Sequence, residues 1–214
     1  MNQRKIVFIF INGILNHPED LHGWTDEACG HVAQQTVFDA DRYEYFTMPL
    51  LRPFKQAWRA KQIALLVEEW VGYEIVLVGH SNGCDLICRY LKTLSRKDIL
   101  LPKILQVHLI AGATDCSCKA NGLNEVLKDG ILGSAYIYCS LGDRALQKAK
   151  GWTGWLRRFG LGYGWLGLGG PSEIDPDVLH KIHVIRNDMK DHGTWLAEDF
   201  TETLEGIVRY AAYS

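Results

Sequence analysis

Residues Glu74–Leu94, EIVLVGHSNGCDLICRYLKTL, carry the strongest structural signal in the chain. A β-branched apolar run leads into the turn GHSNG at 79–83, and a helical pattern follows directly. Gly79 and Gly83 have no Cβ, so the backbones of the strand and of the helix can approach the turn closely. We therefore predict a buried strand, a tight turn and a helix, with the side chain of Ser81 at the apex.

The pentapeptide G-x-S-x-G between a strand and a helix is the nucleophile-elbow motif, in which a strained turn exposes a serine hydroxyl. The N–H groups that open the following helix favour negative charge at the same point. The pentapeptide alone is common and can match by chance, but its position after a buried strand favours the functional interpretation. Ser81 is therefore the candidate nucleophile.

The sequence GHSNG after IVLV resembles the α/β-hydrolase superfamily, in its lipase- and esterase-like branch. By the order of its elements the resemblance covers most of the chain. By motif it covers only short stretches, around residues 11–15, 79–83, 139–143 and 192. It implies an α/β-hydrolase core that lacks the first two strands of longer relatives.

Length and charge limit the class of protein. A chain of 214 residues suits one domain, here 1–214, and 47% hydrophobic residues suffice for a sizeable core. The 23 basic and 25 acidic residues give a net charge of −2. This balance argues against nucleic acid or an anionic membrane as an electrostatically driven partner.

No targeting, membrane or metal signal is evident. The apolar run Ile6–Ile11 is too short for a secretory signal, and no stretch approaches the ~18 apolar residues of a membrane span. The six cysteines lack a metal-binding spacing, although Cys116-Ser117-Cys118 is a weak candidate for more. We expect free thiols, a cytoplasmic location, no integral membrane segment, no metal and no cofactor.

Apolar runs alternate with helical patterns along the chain, which predicts a parallel sheet covered on both faces. The strand candidates are Lys5–Ile11, Tyr43–Met48, Glu74–Val78, Ile104–Ile110, Ala135–Leu141 and Lys181–Arg186. The helix candidates are Trp24–Phe38, a helix that opens at Pro53 and ends just before Gly72, Asn82–Leu94, Asn121–Lys128 and Thr194–Tyr210. The expected fold is α/β, a doubly wound, mostly parallel six-stranded sheet of order 2-1-3-4-5-6, with a ligand crevice at the carboxyl ends of strands one and three.

A serine nucleophile needs a base, and in this superfamily the order along the chain is Ser, then Asp or Glu, then His. His192 follows the last predicted strand and is the candidate base. His180 precedes that strand and His183 lies within it, so both are poorer candidates.

The acid that orients the base should follow the penultimate strand. Asp143 ends the segment YCSLGD there, and it would accept a hydrogen bond from Nδ1–H of His192. Alternatively, Asp143 only caps the next segment, and Asp115, after the fourth strand, is the rival acid. Asp188 and Asp191 are too near His192 in sequence to orient it easily.

Two backbone N–H groups should form the oxyanion hole. The candidates are those of Asn82, after the nucleophile, and of Ile14, in the loop after the first strand. Many relatives have His-Gly at this loop, where this chain has Asn12-Gly13, so the role of the Asn12 side chain is open. His17 and His22 are interpreted as rim residues. The predicted substrate-binding residues are Asn12, Gly13, His80, Trp152 and Trp155.

The segment Gly151–Gly170, within a Gly/Trp-rich excursion at 144–176, is rich in aromatic residues and glycine. The preferred hypothesis is a flexible aromatic flap that shapes an acyl-binding pocket. The alternatives are an irregular loop packed on the core and an interfacial or partner patch.

Together these residues predict a serine hydrolase that cleaves a small carboxylic ester through a Ser-His-Asp triad and an acyl-enzyme. A thioesterase, an amidase or an acyltransferase would use the same residues. A non-catalytic binding protein on the same scaffold is the alternative of a different class.

Overall fold

The computed structural model describes residues 4–13, 23–45, 52–94, 103–153, 164–196 and 200–213. Six strands form one sheet: β1 (Ile6–Ile11), β2 (Asp39–Tyr43), β3 (Glu74–His80), β4 (Ile104–Ile110), β5 (Leu132–Cys139) and β6 (Ile182–Arg186). The α-helices are α1 (Trp24–Gln35), α2 (Arg52–Glu69), α3 (Asn82–Leu94), α4 (Cys118–Asn121), α5 (Leu123–Lys128), α6 (Arg144–Thr153), α7 (Leu166–Gly169) and α8 (Phe200–Ala212). Two 3₁₀ helices, Pro176–Lys181 and Thr194–Leu196, flank β6 and its loop.

The sheet has the order β2-β1-β3-β4-β5-β6, and every neighbouring pair is parallel. The predicted fold class and strand order are therefore confirmed. The switch point lies between β1 and β3, whose carboxyl ends carry Asn12 and Ser81. In an open parallel sheet this crevice is where ligands bind.

The two faces of the sheet are buried by different helices. Alternate side chains of β1, such as Val7 and Ile9, belong to a cluster with residues of α2, α3 and α5. The intervening side chains, such as Phe8 and Phe10, pack with residues of α1 and α8. The period-two pattern of a central strand thus places helices on both faces, as predicted.

The second strand was predicted at Tyr43–Met48, but it runs from Asp39 to Tyr43. Residues 46–48 lie outside the described residues. β2 is an edge strand that pairs only with β1, from Val7↔Asp39 to Ile11↔Tyr43, and none of its residues is fully buried. Because half of its surface faces solvent, a polar sequence can occupy it, so hydrophobic patterning misplaced the strand.

The carboxyl-terminal part of the Gly151–Gly170 segment is packed structure. Leu166 is fully buried, and its N–H donates to the carbonyl of Thr114 at 3.1 Å. A Cβ on Gly164 would lie 1.9 Å from the Thr114 oxygen, and one on Gly167 would lie 2.3 Å from the Ala111 carbonyl carbon. These glycines permit backbone contact rather than flexibility. The flap hypothesis is therefore wrong for 164–170, and residues 154–163 lie outside the described part of the chain.

No helix within the described ranges is long and apolar enough to cross a membrane. All six cysteines, which lie in those ranges, are free thiols.

Candidate active site

The turn between β3 and α3 has a left-handed backbone at Ser81. Its φ is 53°, one of three positive values among the described non-glycine residues. The turn is fixed by backbone hydrogen bonds: the Ser81 N–H donates to Ile110 at 2.9 Å, and its carbonyl accepts from Ala113 at 2.9 Å. Strained backbone of this kind persists where the surroundings hold it firmly and is concentrated at functional sites.

Glycines surround this turn because there is no space for larger residues. A Cβ on Gly83 would lie 2.5 Å from the carbonyl oxygens of Ile11 and Asn12, so the start of α3 rests directly on the end of β1. A Cβ on Gly79 would lie 2.7 Å from Cδ1 of Ile87. A Cβ on Gly13 would lie 3.0 Å from Cβ of Ser81, which places the loop after β1 beside the serine.

Asp143 and His192 are in direct contact. Nδ1 of His192 lies 2.7 Å from Oδ2 of Asp143, whose side chain is fully buried. The other carboxylate oxygen, Oδ1, accepts the N–H of Leu146 at 2.8 Å and so caps α6. One oxygen of Asp143 thus contacts His192 and the other caps a helix, so the two interactions predicted from the sequence are compatible.

The loop that carries His192 is bonded to the loop that carries Asp143. Oδ1 of Asp191 accepts both the His192 N–H at 2.7 Å and the Arg144 N–H at 3.0 Å. These two backbone donors lower the pKa of Asp191. Oδ1 of Asp188 accepts the Leu141 N–H at 2.9 Å. The acidic residues near His192 therefore join the two loops, while Asp143 contacts the imidazole.

Asp115, the rival acid, has a local role. Its Oδ1 accepts the N–H of Ser117 at 3.0 Å, two residues along the same loop. Its carbonyl accepts from Nδ2 of Asn121 at 3.0 Å. Because His192 Nδ1 is occupied by Asp143, the structure places Asp143 rather than Asp115 against the candidate base.

His80 contacts the same histidine. Its Nε2 lies 3.0 Å from the carbonyl oxygen of His192, and the two ring centroids are 4.9 Å apart. The Trp24 ring also lies beside His80, with its centroid 6.3 Å away in an edge-on arrangement. Burial, followed by the neighbouring His192, lowers the pKa of His80 to about 3.

The side chain of Asn82 is fully buried in a polar network behind the turn. Its Nδ2 donates to the Tyr45 hydroxyl at 2.6 Å, and its Oδ1 accepts from Gln56 at 3.0 Å. Gln56 also donates to Asp85 at 2.8 Å. These bonds hold the first turn of α3, and the oxyanion role of the Asn82 backbone N–H stays a prediction.

The residues predicted after β1 are only partly described. Asn12 is 3% exposed, and no described atom hydrogen-bonds to its buried Oδ1. Ile14, Trp155, His17 and His22 lie outside the described residues, as does the side chain of Trp152. Their predicted roles therefore remain predictions.

A cavity of about 600 Å³ lies at the carboxyl end of β2, beside this network. Tyr45 belongs to its lining and also touches Asn82. The Arg59 guanidinium lies 4.3 Å from the centroid of the Tyr45 ring. The lining is thus aromatic with two cations and one carboxylate: Tyr43, Glu44, Tyr45, Lys55, Trp58, Arg59 and Gln62. The sequence did not predict this cavity, because its lining residues come from two different elements, the end of an edge strand and α2.

No three His, Cys, Asp or Glu side chains within the described ranges are grouped as metal ligands. The described part of the candidate site contains the strained turn at Ser81, the contact between His192 and Asp143, and His80.

Comparison with known proteins agrees with the observed fold. The family described as alpha/beta hydrolase of unknown function (DUF900) matches residues 56–161, about half of the chain. A crystal structure from Agrobacterium vitis S4, provisionally described as a hydrolase, is similar with a TM-score of 0.60 at 13% identity, covering 97% of this chain and 88% of that one. The chain is an α/β hydrolase by fold.

Other α/β-hydrolase structures align over nearly the whole chain. A structure reported for the metagenome-derived lipolytic enzymes LipS and LipT has a TM-score of 0.52 at 13% identity, covering 99% of this chain and 95% of that one. RedJ, with a polyethylene glycol molecule bound in its active site, has a TM-score of 0.51 at 11% identity, covering 99% and 90%. Identities this low establish the shared fold alone. A comparison with curated proteins found no match.

Proposed function

We propose that this α/β hydrolase is a serine esterase that cleaves a small carboxylic ester through Ser81, His192 and Asp143. The observation that carries the proposal is the 2.7 Å contact between His192 Nδ1 and the buried Asp143 carboxylate. Both residues follow the carboxyl ends of strands, as does the strained Ser81 turn. A buried carboxylate on one imidazole nitrogen leaves the other nitrogen free to accept a serine proton.

In the proposed reaction, Oγ of Ser81 attacks the ester carbonyl while Nε2 of His192 takes its proton. Asp143 holds the Nδ1–H tautomer and stabilises the imidazolium that forms. The backbone N–H groups of Asn82 and Ile14 stabilise the developing oxyanion. His192 then protonates the leaving alcohol. Water attacks the acyl-enzyme with His192 as its base, and His192 returns the proton to Ser81 as the acid is released.

The cavity beside Tyr45 is the proposed site for the rest of the substrate. One of its lining residues, Tyr45, accepts a hydrogen bond from the side chain of Asn82, the residue after Ser81. Aromatic walls favour an apolar or aromatic group, and Lys55 and Arg59 favour an acyl or alcohol part with a polar or anionic end.

A fluorophosphonate probe tests the assignment. We expect one covalent adduct, located at Ser81 by intact mass and peptide mapping, and its absence in Ser81→Ala. A panel of p-nitrophenyl esters, thioesters and amides then separates esterase activity from the related activities. A well-folded protein that takes no adduct, or takes it on another serine, would reject the proposal in favour of a non-catalytic binding role.

A further inference from the structure

The main chain of His192 is held on both sides. Its N–H donates to Oδ1 of Asp191 at 2.7 Å, and its carbonyl oxygen lies 3.0 Å from Nε2 of His80. With the Asp143 contact at Nδ1, three hydrogen bonds fix the position of this one residue. Two of them come from the loops after β5 and β6, and the third comes from β3.

The bond to His80 has a defined direction. A carbonyl oxygen can only accept, so Nε2 of His80 carries the hydrogen. His80 is also neutral near pH 7, because burial and the adjacent His192 lower its pKa to about 3. A neutral donor next to His192 adds no repulsion when His192 becomes positively charged in the proposed reaction.

This bond joins the end of β3 to the loop after β6, although β3 and β6 are not neighbours in the sheet. β3 and β6 are separated by β4 and β5, so roughly three spacings of ~4.8 Å lie between them. His80 is the last residue of β3 and immediately precedes Ser81. The bond therefore links the serine turn directly to the histidine loop, independently of Asp143.

We propose that His80 is a positioning residue, whose Nε2–H bond to the His192 carbonyl sets the approach of the His192 imidazole to Ser81. The role rests on the proposed serine-esterase function. This role differs from the substrate contact that the sequence predicted for His80, because Nε2 of His80 donates to a carbonyl oxygen of the protein. The second residue of the GHSNG turn thus serves the base rather than the substrate.

Two substitutions at one position test the role. His80→Leu removes the donor, whereas His80→Gln can place an amide N–H at about the reach of Nε2. We expect His80→Leu to lower kcat for a p-nitrophenyl ester by about 10²-fold with little change in KM, as for a misplacement of ~1 Å. His80→Gln should recover much of this loss, and the rate of fluorophosphonate labelling should follow kcat.

His108→Leu is the matched control. His108 is fully buried and its pKa is likewise lowered to about 3, but it bonds Tyr138 and Gln106 rather than His192. A purely structural role for His80 predicts that both leucine variants lose stability and keep kcat in the folded fraction. That result, or a His80→Gln variant as slow as His80→Leu, would overturn the proposal.

Failure of the proposed esterase function can be distinguished from failure of the positioning role. If wild-type protein is not labelled at Ser81, the proposed function fails by itself, and the far-downfield proton NMR resonance of His192 Nδ1–H then tests the positioning role. We expect this resonance to broaden or shift in His80→Leu and to stay in place in His108→Leu. An unchanged resonance in His80→Leu would overturn the proposal without reference to activity.

Discussion

Asp143 uses its two carboxylate oxygens for two different tasks, with Oδ2 2.7 Å from His192 Nδ1 and Oδ1 accepting a helix N–H. The acid is therefore oriented by the helix that it caps. Because its side chain is fully buried, the Asp143 carboxylate is shielded from water.

Asp143→Asn should leave the fold intact and lower kcat by about 10⁴-fold, because an amide no longer selects the Nδ1–H tautomer of His192. Asp115→Asn is the control, since an amide oxygen can still accept the Ser117 N–H as the carboxylate does. Steady-state kinetics on both variants check this. A larger effect at Asp115 would mean that Asp115 orients the base in solution.

Gly83→Ala should cost about 1–3 kcal/mol of stability and reduce activity, since the added Cβ would meet backbone oxygens of Ile11 and Asn12 at 2.5 Å. Gly30→Ala in α1 is the matched substitution, because no described atom beyond the backbone of its own helix lies within 4 Å of the added Cβ. It should stabilise the protein by about 0.5–1 kcal/mol. Urea unfolding of both variants measures the difference, and equal effects would show that β1 and α3 are not in close contact.

Stability should decrease in acid partly because of His108. Burial, followed by the neighbouring His183, lowers its folded pKa to about 3 from an ordinary value of 6.5. Above pH 6.5, His108 is unprotonated in both the folded and the unfolded state. Between pH 6.5 and 3 only the unfolded state binds the proton, which lowers the free energy of unfolding by up to about 1.4 kcal/mol per pH unit. The stability difference between wild type and His108→Leu should therefore narrow from pH 7.5 to 4.5 in urea titrations. A constant difference would mean that His108 binds its proton equally in both states, so that its pKa is not lowered in the folded protein.

Trp58→Ala should raise KM several-fold with little loss of stability, because Trp58 lines the cavity and is 59% exposed. Leu65→Ala provides the control on the same helix, since Leu65 is 53% exposed and is not part of the lining. Ester kinetics and thermal melting distinguish the two. If both variants keep the wild-type KM, the substrate lies elsewhere.

The central part of this fold could be predicted from the sequence because burial on both faces requires continuous apolar runs. Ile6–Ile11 and Ile104–Ile110 are buried throughout, and their limits were predicted to within one residue. The edge strand β2 was misplaced because its polar residues are tolerated beside solvent, and its position depends on pairing with β1.

The candidate site, like the fold, has features that the sequence predicted and others that it did not. Residue order along the chain sufficed to select Asp143 and His192, which the structure brings together. Contacts between distant segments had no signal in the sequence: the bond from His80 to His192 joins residues 112 positions apart. The glycines at 164 and 167 suggested flexibility, because composition cannot distinguish a mobile glycine from one required by a close backbone contact.

β6 is the other edge of the sheet, and only one of its five residues is buried. The loop that carries His192 begins where this strand ends. Edge elements with few buried contacts open at a lower free energy than the centre of a sheet. Detachment of β6 would separate His192 from both Asp143 and His80 while β1, β3 and β4 remain folded. Catalytic competence would then be lost in a local opening event, and inactivation in denaturant would precede the loss of secondary structure.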